Sequence, residues 1–193
     1  MTAHNFTLFD TAIGSCGIVW SERGVVAVQL PESDERRTRA RMQRRFPEAQ
    51  EMPPRPDVQH AIDGIAALLR GEKRDLRDVV IDDSEIPPFN KRVYAIARTI
   101  PPGKTMTYGE IAERLGDPLL ARDVGQAMGE NPTAIVMPCH RVVAAGGKTG
   151  GFSANGGVMT KLQLLNIEGA QPGGPTLFDS LPLAARAPAS RRR

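Results

Sequence analysis

The chain has 193 residues, a formal net charge of +3, 40% hydrophobic and 24% charged residues. That length supports one good core or two small ones, and the mild basicity fits a nucleic-acid partner without requiring one. The composition gives no membrane span, no signal-peptide pattern and, with two cysteines, no disulfide framework, which points to a cytoplasmic, reducing compartment.

In chain order, 6–9, 17–20 and 25–30 read as short strands, with 21–24 as the turn between the last two. Segment 33–46 carries Arg36, Arg37, Arg39, Arg41, Arg44 and Arg45. Asp34 and Glu35 stand where a helix would start, so the run reads as a solvated helix face rather than a nucleic-acid patch. The Pro-rich stretch 52–56 is a turn or linker. Residues 57–70 form an amphipathic helix with Val58, Ile62, Ile65 and Leu69 on one face, His60 on the opposite face and Gly71 as the stop. Segment 71–88 is a polar connection with one strand-like piece at 79–81.

The second half reads as helical. Phe89, Val93, Ile96, Ala97 and Ile100 repeat at helical spacing up to Pro101-Pro102-Gly103. Thr107-Tyr108-Gly109-Glu110 is a capping box that opens a short helix through Leu115. Asp117-Pro118 opens a third helix at 119–129, and the pair makes a helix-turn-helix. Residues 135–137 read as a short buried strand leading into Pro138-Cys139-His140-Arg141-Val142. A Gly-rich loop at 146–151 and a last helix at 160–168 follow. From 171 onward the composition is rich in Pro, Ala, Gly and Arg and reads as a disordered tail, with Arg191, Arg192 and Arg193 adding weak attraction to phosphate.

Cys139 beside His140 is the first chemical signal. A thiol is a strong nucleophile only as thiolate, and imidazole is the side chain that trades protons near neutral pH. The three histidines, His4, His60 and His140, are scattered and give no metal-ligand spacing. The helix at 119–129 is the second signal. Leu120, Val124, Ala127 and Met128 form an inward stripe, while Ala121, Arg122, Gly125 and Gly129 face outward. A helix-interior glycine costs about 1 kcal/mol relative to alanine. Two of them permit either close approach to a flat or narrow partner or tight helix packing inside the protein.

Pro138-Cys139-His140-Arg141-Val142 resembles, without a mismatch, the active-site signature of the 6-O-methylguanine-DNA methyltransferases. The similarity runs from about Phe89 to Gly169 and more loosely into the N-terminal half. The resemblance implies an α+β (or α/β) architecture. A small ribonuclease-H-like α/β domain would occupy 1–86, a helical, winged-helix-like domain with the helix-turn-helix 87–170, and a tail 171–193. It implies a DNA-repair protein that moves the alkyl group of 6-O-alkylguanine, or of 4-O-methylthymine, irreversibly onto Cys139. Such a protein binds double-stranded DNA through the minor groove, flips the damaged nucleotide out, works once, and needs no cofactor, metal, membrane or obligatory protein partner; it is expected to be a monomer. Some members carry a structural zinc in the N-terminal domain, and no ligand set for one is present here.

Residue by residue, the resemblance makes Cys139 the acceptor, His140 its base through a water, Glu168 the carboxylate that orients the imidazole, Tyr108 the hydrogen-bond donor to the leaving guanine and Asn131 a hinge. Arg122 becomes an arginine finger that fills the gap left by the flipped nucleotide, on a face shared with Ala121, Gly125 and Gly129. Val142, Phe152, Ser153, Ala134 and Met128 become pocket residues. Phe152 stands where many members have tyrosine, Ala134 where some have proline, and the 152–157 loop is longer through Ala154-Asn155, so adducts bulkier than methyl are expected to fit. The main alternative is a non-catalytic alkylguanine-binding protein that recruits other repair factors, but such proteins lack the acceptor cysteine. A sequence-reading regulator conflicts with the glycine-bearing helix face, and a Cys-His hydrolase would need an oxyanion site that is not visible.

Overall fold

In the computed structural model, which describes residues 3–170, an antiparallel meander opens the chain. It consists of β1 (Asn5–Thr11), β2 (Gly14–Ser21) and β3 (Gly24–Gln29). The two-residue β4 (Gln50–Glu51) pairs parallel to β1, giving the order β3-β2-β1-β4. The period-two alternation of a strand buries both faces of β2. Val19 packs with Phe6, Ala27 and Met42 of α1 (Glu35–Arg45), and Ile18 and Trp20 pack with Val58, Ile65 and Leu68 of α2 (Pro56–Leu69).

Asp34 caps α1 by accepting from the Arg37 backbone N–H at 2.8 Å. Arg39 pairs with Glu35 and Glu51, and Arg41 with Glu32. Arg37, Arg39 and Arg41 thus find local carboxylates, while Arg45 lies over the Phe46 ring. His60 is exposed and pairs with Asp78.

The second half contains α3 (Pro88–Ala97), β5 (Met106–Thr107), α4 (Tyr108–Leu115), α5 (Ala121–Gly129), β6 (Val142–Val143) and α6 (Val158–Ile167). β5 and β6 pair in parallel. Both halves of the Thr107–Glu110 capping box form, and Gly116 ends α4 in the left-handed region. α3, α4 and α5 share a core that includes Val93, Ile111, Val124 and Met128.

Three local expectations change. The helix expected from 119 begins at 121, because Asp117 accepts from the Leu119 N–H and the chain first makes one 3-10 turn at Pro118–Leu120. The strand expected at 135–137 is a tight turn. Ile135 has φ +72°, Met137 N–H donates to the Thr133 carbonyl at 2.8 Å, and Ala134 bridges Met137. Its apolar residues are there because Ile135 and Val136 plug into the core of the N-terminal sheet. The strand-like piece at 79–81 contributes one bridge, Ile81 to Val25. The expected tail from 171, with its three terminal arginines, lies outside the described residues. Among the described residues no helix is long and apolar enough to cross a membrane.

The free edge of β3 joins the two halves. Val25 exchanges backbone hydrogen bonds with Val80 and Asp82, both 2.9 Å, and Val28 N–H donates to the Pro132 carbonyl at 2.9 Å. The sheet therefore holds the chain seven residues before Cys139. Gly24 makes the first of these contacts possible. It sits at φ +148°, and a Cβ there would lie 2.6 Å from the Val80 carbonyl oxygen. Gly24→Ala is expected to cost about 1–3 kcal/mol through backbone strain and that clash. A thermal melt should show a midpoint lower by roughly 2–10 °C.

Candidate active site

Pro138 leaves the 133–137 turn, and Cys139 opens a single 3-10 turn, Cys139–Arg141. Cys139 is 8% exposed, and that exposure opens into a cavity of about 450 Å³. Tyr108 and Phe152 supply its aromatic walls, Met128 and Gly125 its α5 side, and Gly129, Gly151 and Ser153 its rim. A Cβ on Gly129 would meet nothing within 4 Å, and one on Gly125 would only touch the Tyr108 ring at 3.9 Å. Both glycines thus flank the cavity rather than a packed helix, which removes tight internal packing as the reason for them.

Burial pushes the Cys139 thiol above its ordinary value, opposed by a hydrogen bond from Asn131 and by the charge of Lys161. The resting group is therefore a thiol that needs a base. Asn131 Nδ2 donates to Sγ at 3.1 Å and to the Met137 carbonyl at 2.9 Å, while Oδ1 accepts from the Thr133 N–H at 3.0 Å. One amide thus ties the end of α5 to the turn that carries the thiol.

His140 and Glu168 are buried together, with Nε2 and Oε1 2.9 Å apart. Arg141 grips the same carboxylate through Nε and Nη2, at 2.8–3.2 Å, and donates Nη1 to the Ile100 carbonyl at 2.6 Å. Gly103 N–H donates to Oε2 at 3.2 Å. Burial alone would raise the Glu168 carboxyl, but the hydrogen bonds and charges of His140 and Arg141 outweigh it and hold the group at about 2. Burial lowers His140 more than Glu168 raises it. A neutral imidazole facing an ionised carboxylate must carry its proton on Nε2. Nδ1, which is buried and has no hydrogen-bond partner among the described residues, is then the basic nitrogen.

Lys161 is fully buried on α6. Its Nζ donates to the Val142 carbonyl at 2.6 Å and, more loosely, to the Gly151 carbonyl and the Tyr108 hydroxyl, each 3.4 Å. An ammonium has no lone pair, so the phenol oxygen must accept and its O–H is left to point elsewhere. Burial pushes Lys161 down to about 8, against the pull of the Cys139 charge. Burial also raises the Tyr108 phenol, so it stays protonated. Gly150, at φ +71°, passes so close that a Cβ would lie 2.8 Å from the Tyr108 hydroxyl.

The structure thus brings Cys139, Asn131, Tyr108, Met128, Phe152, Ser153, Gly125 and Gly129 to one cavity or its edge, with His140 and Glu168 behind it. Ser153 Oγ donates to the Gly129 carbonyl at 3.2 Å, closing the rim. Arg122 is exposed on α5, and Ala121 is half-buried at its start. One expected pocket residue lies elsewhere: Ala134 belongs to the 133–137 turn and packs against the N-terminal core. Val142, expected to act through its backbone, has its side chain buried beside Cys139 and Met128 and its carbonyl on Lys161 Nζ. Arg141 and Lys161 were not singled out from the sequence. Lys161 shares a helix face with Leu164, Leu165 and Glu168, the spacing that marks a buried lysine. Among the described residues no group of His, Cys, Asp and Glu could hold a metal. A larger cavity of about 570 Å³ lies between β3 and α3, lined by Asp82, Glu85, Tyr94 and Glu130, and it contains no thiol.

Residues 88–170 match the family model for the 6-O-methylguanine DNA methyltransferase, DNA binding domain. The methylated-DNA–protein-cysteine methyltransferase of Mycobacterium tuberculosis is 44% identical over 120 residues, covering 62% of this chain and 70% of that relative. The bifunctional transcriptional activator/DNA repair enzyme Ada of Escherichia coli is 35% identical over 169 residues, 86% of this chain and 46% of its own length. Among solved structures, Mycobacterium tuberculosis OGT in complex with DNA superposes with a TM-score of 0.69 at 31% identity, covering 88% of this chain and 96% of that one. The 6-O-methylguanine-DNA methyltransferase of Pyrococcus kodakaraensis gives 0.68 at 25% identity, over 86% and 99%. The mixed α+β fold is common to them.

The depressed Glu168 carboxyl fixes a pH dependence. A group whose folded value lies below its ordinary value contributes stability that is full above the ordinary value and is lost as pH falls through the folded one. Unfolding free energy from urea titrations should therefore fall between about pH 5 and pH 2 with a component that Glu168→Gln lacks. Equal acid slopes in the two proteins would contradict this account of the ion pair.

Proposed function

The chain belongs to the 6-O-methylguanine-DNA methyltransferase family, and we propose that its DNA-repair reaction transfers the alkyl group of 6-O-alkylguanine in double-stranded DNA irreversibly to Cys139. The observation that carries the assignment of the acceptor is the Cys139 sulfur at the foot of a cavity, backed by a neutral imidazole and an ionised carboxylate. That thiol is also what a non-catalytic alkylguanine-binding protein would lack.

On this reading, α4 and α5 form the helix-turn-helix that meets the minor groove, and Arg122 enters the base stack as the damaged nucleotide swings past Gly125 and Gly129. The meander with α1 and α2 corresponds to the family's ribonuclease-H-like domain, and α3 to α6 to its winged-helix-like domain. His140 Nδ1 takes the thiol proton through a water, and Glu168 stabilises the imidazolium. The sulfur lone pair attacks the alkyl carbon, the carbon–oxygen bond breaks, and its electrons go to the purine. The Tyr108 O–H, left free by Lys161, donates to that purine as its charge grows. Asn131 keeps α5 and the thiol in register. A thioether is not cleaved by thiol exchange, so each molecule works once. The protein acts as a monomer, and the two buried free thiols, Cys16 and Cys139, suit the cytoplasm.

Incubation with duplex DNA carrying 6-O-methylguanine, followed by digestion and mass analysis, should add one methyl group to the peptide containing Cys139. Cys139→Ala should gain none; methylation elsewhere, or none in the wild type, would remove the assignment. A cavity of about 450 Å³ has the volume for a benzyl group beside a purine, and on this reading bulkier adducts than methyl are accepted. Methyl and benzyl adducts should therefore react at rates within about tenfold of each other, roughly 1.4 kcal/mol in barrier, and complete refusal of benzyl would contradict the geometry.

A further inference from the structure

Lys161 enters the proposed reaction only as the neighbour that leaves the Tyr108 O–H free, yet it is a fully buried cation at the active-site cavity. Burying an ammonium costs several kcal/mol unless its donors are satisfied and an opposite charge is near. Among the described residues no carboxylate pairs with it. Its contacts are two carbonyls and a phenol: Val142 in the strand that follows the thiol turn, Gly151 at the cavity rim, and Tyr108 on α4, whose ring also lies under Nζ at 5.6 Å. A buried structural lysine would gain by replacement with a long apolar residue. The arrangement makes sense if a negative charge arrives during the reaction.

We propose that Lys161 is a positioning residue for the alkyl transfer, whose buried ammonium fixes the Tyr108 hydroxyl and the Gly151 wall and supplies the positive charge that the Cys139 thiolate needs. This rests on the reading of Cys139 as alkyl acceptor. The titratable groups around Nζ are Tyr108 on α4 and Cys139 and His140 on the 3-10 turn, while Glu168 on its own helix is taken up by Arg141 and His140. With no carboxylate to hold its proton, the ammonium is lost in mildly alkaline solution. The reaction then loses its positive charge, although alkali favours thiolate formation in general.

The step balances with the lysine as spectator. The thiol proton goes to His140, the sulfur–carbon bond forms as the carbon–oxygen bond breaks, and the purine anion takes the Tyr108 proton. The resulting phenolate oxygen already accepts from Nζ.

Single-turnover methyl transfer from 6-O-methylguanine duplex DNA is measured across pH for the wild type, Lys161→Met and Lys161→Arg. In parallel, the pH midpoint for alkylation of Cys139 by iodoacetamide is read by peptide mass, which needs no DNA. The wild-type rate should decline above about pH 8. Lys161→Met should be slower by at least about tenfold near neutral pH, and its iodoacetamide midpoint should rise by about one unit. Lys161→Arg, which keeps its charge, should hold its rate where the wild type falls. A Met variant within about threefold of the wild type, an unmoved iodoacetamide midpoint, or an Arg variant with the wild-type alkaline fall would each overturn the proposal. If the Met variant does not fold, the Arg variant decides alone. A wild type that moves no methyl group would refute the repair reading instead, and the iodoacetamide midpoints would still judge whether Lys161 charges the sulfur's surroundings.

Discussion

A carboxylate buried at the end of α6 keeps its negative charge because a guanidinium and an imidazole both point at it. Arg141 supplies the charge that burial would otherwise forbid, and Glu168 in turn dictates which nitrogen of His140 holds the proton. The same ion pair is architectural. Arg141 also holds the Ile100 carbonyl, and Glu168 the Gly103 N–H, so the turn after α3, the thiol-bearing segment and α6 meet at one charge pair. Removing one partner of such a pair typically costs roughly 3–5 kcal/mol, because the other charge stays buried. On the proposed reading, the adjacent residues His140 and Arg141 serve the chemistry and the clamp from consecutive positions of one 3-10 turn.

The N-terminal sheet enters this site from behind. β3 lends its edge to Pro132, and Ile135 and Val136 sink into the core beneath β2 and α2. The turn at 133–137 is thereby pinned on one side by apolar packing and on the other by Asn131, whose amide reaches both Met137 and the sulfur. A nucleophile must be held within a fraction of an ångström of its target, and this double anchoring gives an irregular segment the rigidity of a strand.

Much of this was legible in the sequence where periodicity or capping chemistry acts locally. The Thr107–Glu110 box, the Gly71 stop and the short apolar run in 17–20 each led to an element observed within a few residues. The misses share a physical cause, which is tertiary context. An apolar run of three residues reads as a strand, and only the neighbouring core reveals that Ile135 and Val136 are plugs in a turn. Ala134 follows that turn away from the cavity. Arg141 was visible within its motif, but its partner lies 27 residues on. Lys161 looked like an ordinary helix lysine, although its place three, four and seven residues before Leu164, Leu165 and Glu168 puts it on the buried face.

Cys139 and Lys161 meet the same low-polarity surroundings with opposite results, since burial disfavours a thiolate and an ammonium alike. Each charge relieves the other, so the pair is easier to ionise together than either is alone. On the proposed reaction path this coupling has a further consequence. Alkylation turns the sulfur into a neutral thioether, and the negative charge passes through the purine to the Tyr108 oxygen. That oxygen lies 3.4 Å from Nζ. On that path a single fixed cation acts on the sulfur through its charge and on the phenol oxygen by direct contact, and little reorganisation is needed between the two. A mobile surface lysine would have to be ordered and desolvated for each state. Holding it buried beforehand moves that cost into folding, where the three acceptors of α4, β6 and the cavity rim offset it.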